Sequence, residues 1–171
     1  TLQIRALNSA QLAAMNSAQV SAFGSEQIRA LTTTQVVGLR QDQIKGVSSA
    51  VIGSLSTNQI NALSTQQVRA LSTEQIIGLV EGQIAYLTNT QVASLSGAQV
   101  AAMETRDVAA LTSAQATKLT EAQVGAMTSA QVKAMVTGDL IKLSEAQLLA
   151  ITTNAVAAMT TDQLANIGSN Q

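Results

Sequence analysis

Ten carboxylates, a large set of hydroxyls and a regular series of primary amides are the side chains of this 171-residue chain that could do chemistry. There is no His and no Cys. That removes the commonest general base and the thiolate nucleophile, and it leaves the many Ser and Thr hydroxyls without a partner to activate them. The carboxylates are spread out. Asp107 and Asp139 stand where a Gln is otherwise expected, so they are the two singled out for a cation or acid–base role. A hard cation takes about six or more oxygen ligands, and neither aspartate has that many acidic neighbours in sequence. Glu104, the nearest acid to Asp107, is followed by Thr105 and Arg106. We read both aspartates as helix-start charges. The sequence offers no catalytic, cofactor-binding or metal site, and an enzyme is not expected.

Composition narrows the partners. Nine basic residues against ten acidic ones leave no electrostatic footprint for nucleic acid or an anionic membrane. Phe23 and Tyr86 are the only aromatics, so platforms for base stacking are missing. No apolar run approaches the ~20 residues of a membrane span, and insertion into a membrane is not expected.

What must position any site is a repeat. Gln stands at every eighth position, from Gln3, Gln11 and Gln19 through Gln163 and Gln171, and fills 18 of the 22 places in that register. The four exceptions are Val51, Asp107, Asp139 and Ala155. A short fixed period marks a repeat architecture. The octad reads L-[ST]-x-x-Q-[IV]-x-A, as in Leu63 to Ala70 (LSTQQVRA). Ser or Thr followed three residues later by Gln is a capping box, with Leu at N′ and Ile or Val at N4 as its hydrophobic staple. One helix start is therefore written every eight residues.

A continuous helix is excluded by its own geometry. Eight residues advance a helix by about 800°, roughly 80° beyond two turns, so an apolar stripe would spiral away. Strands are excluded because Leu and Ile/Val, three apart, would face opposite sides. Charge placement agrees with short helices. All ten acids, including Glu26, Asp42, Glu74, Glu81, Glu121, Glu145 and Asp162, fall between N-cap and N3. Seven of the nine bases, among them Arg5, Arg29, Lys45, Arg69 and Lys133, fall at N5 or N6. Both placements match the helix macrodipole.

A six-residue helix is far below the ~12–15 residues needed for stability alone, so the octads must stack. We expect an all-α solenoid of very short capped helices, one per octad, with residues 1–171 as a single continuous array cut from a longer one. Charges recurring after 24 residues (Arg5 and Arg29, Lys45 and Arg69, Lys118 and Lys142, Glu121 and Glu145) suggest three helices per superhelical turn. The core is assigned to three positions: the Leu place, which also holds Met15, Phe23 and Met103; the Ile/Val place; and the small Ala/Gly place, as at Gly38 and Gly78. On this reading Gln75→Ala costs about 0.5–2 kcal/mol through lost capping. Leu71→Ala costs more, roughly 2–5 kcal/mol. Val47 to Ser54, without Gln and with Gly53, is the expected weak octad.

The pattern L-[ST]-x-x-Q-[IV]-x-A resembles octapeptide arrays of very large bacterial surface and secreted proteins, described as haemagglutinin-like, adhesin-like or haem-utilisation-like. The resemblance covers essentially the whole chain. It implies an extracellular or cell-surface location and a structural role: a rigid spacer whose partners are neighbouring repeats of the same parent chain. An interaction module, binding a protein, a glycan or ice through the solenoid surface, is the alternative. Its candidate features are Tyr86 with Val80, the apolar N5 residues Ile77, Ile141 and Leu149, and the ladder of Ser/Thr hydroxyls.

Overall fold

A computed structural model describes residues 2–80 and 82–167. Glu81, one of the acids placed above between N-cap and N3, and Gln171, the last Gln of the register, lie outside the described residues. Among the described residues there are twenty α-helices of four to seven residues, one 3-10 turn at Ile84–Tyr86, and no strand. Helix starts fall where the capping boxes predict. Ser64 is extended (φ −69°, ψ 155°), and its hydroxyl accepts the amide N–H of Gln67 at 3.2 Å. The helix Thr65–Ala70 then runs until Leu71, which is again extended, with its N–H closing onto the Val68 carbonyl. The next Ser, Ser72, begins the next helix. Each octad is thus a short helix plus a two-residue corner.

The chain divides into two compact units, Thr1–Leu87 and Thr88–Gln171. In the first, each helix packs on the third helix after it: Leu2–Ala6 on Ser25–Ala30, Ser9–Ala14 on Thr33–Val37, and Ser17–Ser21 on Gln41–Gly46. The second follows the same rule, with Gly97–Ala102 on Glu121–Ala126 and Ser129–Ala134 on Thr153–Ala157. Three helices therefore make one turn in each unit, and residues 24 apart stack, as the charge recurrence suggests. Residues eight apart lie on successive helices of a turn. Ile141, half-buried, and Leu149, 78 % exposed, consequently do not form one stacked patch.

Leu and Ile/Val positions fill the interior, as expected. Ile60, Val68 and Ile76 are fully buried, with Leu63 and Leu71 close behind. Each such side chain contributes about 1.5–3 kcal/mol relative to exposure. Ala116, the one small residue in the Ile/Val place, is fully buried as well. The small third position is different from expectation. Ala62, Ala70 and Gly78 are half-buried and sit at the seam between stacked helices rather than in the core. A Cβ on Gly78 would lie 2.7 Å from the Ser49 carbonyl oxygen, and one on Gly38 would lie 3.1 Å from the Ser9 Cβ. The small residues allow a close approach that joins turn to turn and does not line the interior.

Candidate functional site

The interior has a fourth contributor, and it is the most regular polar feature of the molecule. Gln35, Gln43, Gln59, Gln67 and Gln75 in the first unit, and Gln123, Gln131, Gln147 and Gln163 in the second, are at most 6 % exposed. Each uses both ends of its amide. In Gln67 the Oε1 accepts the Ser64 backbone N–H at 2.8 Å, which is the capping half. Its Nε2 donates to the Val36 carbonyl at 2.9 Å and the Leu39 carbonyl at 2.7 Å. Those two oxygens lie 31 and 28 residues back, at the C-terminal end of an earlier helix. The same offsets hold for Gln59 (Ile28 and Leu31), Gln75 (Ile44 and Val47), Gln123 (Val92 and Leu95) and Gln131 (Val100 and Met103).

Two deficits of a short helix are met at once. The last carbonyls of a helix lack intrahelical donors, and the first N–H groups lack acceptors. One Gln amide serves the N-terminal end of its own helix and the C-terminal end of another. The glutamine oxygen matters more than the hydroxyl opposite it. Gly24, Arg40 and Val80 occupy the N-cap place without a hydroxyl, yet their N–H groups still donate to Gln27, Gln43 and Gln83 at 2.8–2.9 Å. Reading the Gln only as a capping residue was incomplete. A capping box accepts Glu as readily as Gln, but none of the 22 register positions is Glu. That preference for an amide over a carboxylate was the available signal, because only the amide has an N–H to donate.

A family model, the ALTTAQ repeat, matches residues 1–33, 41–73, 100–137 and 132–169. The chain belongs to the ALTTAQ repeat family. None of the curated proteins matches it. In this chain the motif appears as ALTTTQ (Ala30 to Gln35) and ALTSAQ (Ala110 to Gln115), running from the small seam residue to the Gln of the eight-residue register. Bridging also continues outside those stretches: Gln75 has the usual offsets, and Gln83 reaches the carbonyls of Gly53 and Leu55, 30 and 28 residues back.

The four exceptions to the ALTTAQ glutamine are solved differently. Asp107 is buried and accepts the Glu104 N–H at 3.1 Å, so it keeps the capping half. Asp139 does not: its helix, Thr137–Leu140, has no capping box, and its Oδ1 takes the Ser113 hydroxyl instead. Ala155 is fully buried, and Thr152 alone caps its helix. Val51 is half-buried, and the Ser48 hydroxyl makes no cap. Glu104 pairs with Arg106. Among the described residues, no three acidic side chains converge as a metal set. No described helix is long and apolar enough to cross a membrane.

One charged feature was not legible in sequence. Arg40, in an N-cap place, sends its guanidinium to the carbonyls of Ala13 and Met15 (3.2 Å to the latter), at the C-terminal end of Ser9–Ala14. A cation there complements the dipole. Asp42 pairs with Arg40 at 3.0 Å, and the hydrogen bond from that guanidinium holds its carboxyl below the ordinary range. Glu74 is likewise lowered, first by its own backbone N–H and then by the Ser72 hydroxyl. Most N-cap hydroxyls of the Ser/Thr ladder are committed to N3 amides, as in Ser56, Ser72 and Thr128.

The irregular octad Leu79 to Tyr86 opens a groove of about 340 Å³ in the first unit. Arg29, Ser54, Val80, Gln83 and Tyr86 line it. Gly82 turns with φ +85°, a region that favours glycine. Val80 and Tyr86 are both half exposed, and the Asn61 amide donates to the Tyr86 carbonyl at 3.2 Å.

Proposed function

We propose that this ALTTAQ chain is a non-enzymatic structural segment, a rigid spacer or stalk within a large bacterial cell-surface or secreted protein. The observation that supports this reading is the glutamine bridge. It recurs at fixed offsets through each unit and is directed only at backbone atoms. A bridge of that kind tolerates variation at N1, N2 and N5 and makes length, rather than any one residue, the property that is maintained. In a repeat array each unit contacts its neighbours, so length is set by repeat number. The surface location follows from the family resemblance of the octads.

Rigidity is tested inside one unit. The chain has no Cys, so Ala10→Cys and Asn58→Cys, both at exposed positions, allow clean spin labelling. A narrow distance distribution between the labels supports the reading, and a broad one rejects it. In the parent protein, exchange of these octads for an unrelated rigid array of equal length should leave the flanking parts working. Loss that tracks the octad sequence at constant length would favour an interaction module instead.

The groove beside Tyr86 favours that second reading. An exposed aromatic beside Val80, with Arg29 and Ser54 at hand, is a combination that suits a glycan or a peptide. Binding to a glycan or peptide library that Tyr86→Ala abolishes would establish it.

A further inference from the structure

The consensus residues of each octad serve the fold, so residues that leave the consensus together mark a place with another demand on it. One groove gathers such residues. In the octad Leu79 to Tyr86, Val80 stands in the N-cap place and Tyr86 in the small place. In the octad Val47 to Ser54, Val51 replaces the Gln, and Gly53 and Ser54 close the helix. These octads are well separated in sequence, yet both line the groove of about 340 Å³ in the first unit. Val80 and Tyr86 are each 53 % exposed, so neither serves the core.

The floor of the groove is held by backbone-directed amides. Gln83 Nε2 donates to the Gly53 carbonyl at 3.0 Å and to the Leu55 carbonyl at 2.6 Å, which ties the two octads together. Asn61 Nδ2 donates to the Tyr86 carbonyl at 3.2 Å. Gly82, at φ +85°, has nothing within 4 Å of the place a Cβ would take, so that wall is open. A ligand therefore meets a pre-formed backbone and binds with little ordering cost.

The lining combines three chemistries. Tyr86 and Val80 offer apolar surface, and the Tyr ring has an electron-rich face. Arg29 is the one charged residue of the described lining, and no described carboxylate pairs with it. Ser54 directs its hydroxyl proton to the Val51 carbonyl at 2.6 Å, which leaves its oxygen as an acceptor. Thr57 adds an exposed hydroxyl.

We propose that this groove binds a carboxylated pyranose, a hexuronate or sialic acid unit of an acidic glycan. The C–H face of the sugar lies on the Tyr86 ring, and the Arg29 guanidinium takes the carboxylate through parallel N–H donors. Ser54 and Thr57 meet the sugar hydroxyls. A peptide fits less well. Among the described residues there is no strand edge for an extended peptide to join, and about 340 Å³ is at the low end of ligand-sized sites and leaves no room for an amphipathic helix. The inference rests on the second reading above, in which the octads include an interaction surface, and names the ligand class of that surface.

The test titrates the whole isotope-labelled chain with oligogalacturonate, oligoglucuronate and sialyllactose, each beside its methyl ester, and follows amide shifts by NMR. The ester keeps the ring and removes the charge. At least one acid should move the amides of Gly53, Thr57, Gly82 and Tyr86, and should bind about tenfold tighter than its ester. Arg29→Gln should remove that difference and leave the ester unchanged, and Tyr86→Ala should abolish binding of both. Both side chains are exposed, and circular dichroism checks that the variants stay helical. Acid and ester that bind the unmodified chain equally overturn the proposal, whatever the variants do. So do shifts that avoid those amides, or acid binding that survives either substitution. Failure of every acid overturns it as well. In that case the interaction reading stands if a neutral glycan or a peptide binds and Tyr86→Ala abolishes it, and falls if neither binds.

Discussion

Gly53 and Gly78 lie back to back across one turn of the first unit: a Cβ built on Gly53 would overlap the Gly78 carbonyl oxygen. From sequence, Gly53 is a weakness of the Val47 to Ser54 octad, costing backbone entropy. In the structure it is the condition for the closest approach between the Ser49–Ile52 and Thr73–Ile77 helices. Gly→Ala usually stabilises a helix by about 0.4–1 kcal/mol where the backbone permits. Here we expect the opposite sign. Gly53→Ala and Gly78→Ala should each cost roughly 1–3 kcal/mol through overpacking. Denaturant melts measure this, and an unchanged or raised midpoint would show that the two helices separate easily.

Gln75 distinguishes capping from bridging. Its Nε2 reaches the Ile44 and Val47 carbonyls, so Gln75→Ala removes a cap and strips two buried oxygens of a donor. The expected cost rises to about 2–4 kcal/mol, near that of Leu71→Ala. Gln75→Glu separates the two roles. It keeps the capping oxygen and removes only the donor, so on the capping reading it is nearly silent. We expect it to destabilise at neutral pH at least as much as Gln75→Ala, measured by the same melts.

The gaps in the ladder are sites for stabilisation. Val51→Gln brings an amide to the Val20 and Phe23 carbonyls, and Asp139→Gln brings one to Val108 and Leu111, by the common offsets. Each should add about 1 kcal/mol. Until then Ser49–Ile52 has only four residues and no hydroxyl cap. Amides around Val51 should therefore exchange faster than those around Gln67, and Val51→Gln should slow them. Equal protection in the parent chain would contradict this.

Asp42 gives a pH signature. Its carboxyl is held low chiefly by the hydrogen bond from Arg40. A depressed folded-state value means that its contribution is present above the unfolded value and is lost as pH falls through the folded one. An NMR titration of the Asp42 side chain should place its midpoint below the ordinary carboxylate range, and Arg40→Ala should raise it. The exposed pair makes this a local marker rather than a determinant of stability.

The octad register was readable without any structure because every signal in it is local. Ser64, Gln67 and Val68 sit within one helical turn of each other, and cap, staple and charge polarity act over that distance. Fold class, helix starts and the apolar interior follow from those contacts alone. The 24-residue recurrence of charges such as Lys45 and Arg69 even carried the three-helix turn, since stacked positions share an environment. The role of the glutamine nitrogen was decided elsewhere. Gln67 meets Val36 and Leu39 only after the chain has made more than a full turn, and no pattern within one octad names a partner 28 or 31 residues away. The small residues were assigned to the wrong surface for the same reason: Gly78 is small because Ser49 and Gly53 arrive from another turn. Arg40 looks like a lapse in its own octad and becomes a cap for the Ser9–Ala14 helix once that helix is beside it. Short-range hydrogen bonding and periodicity are properties of the chain, whereas satisfaction of helix-end carbonyls and close backbone approach exist only between turns, once the octads have stacked.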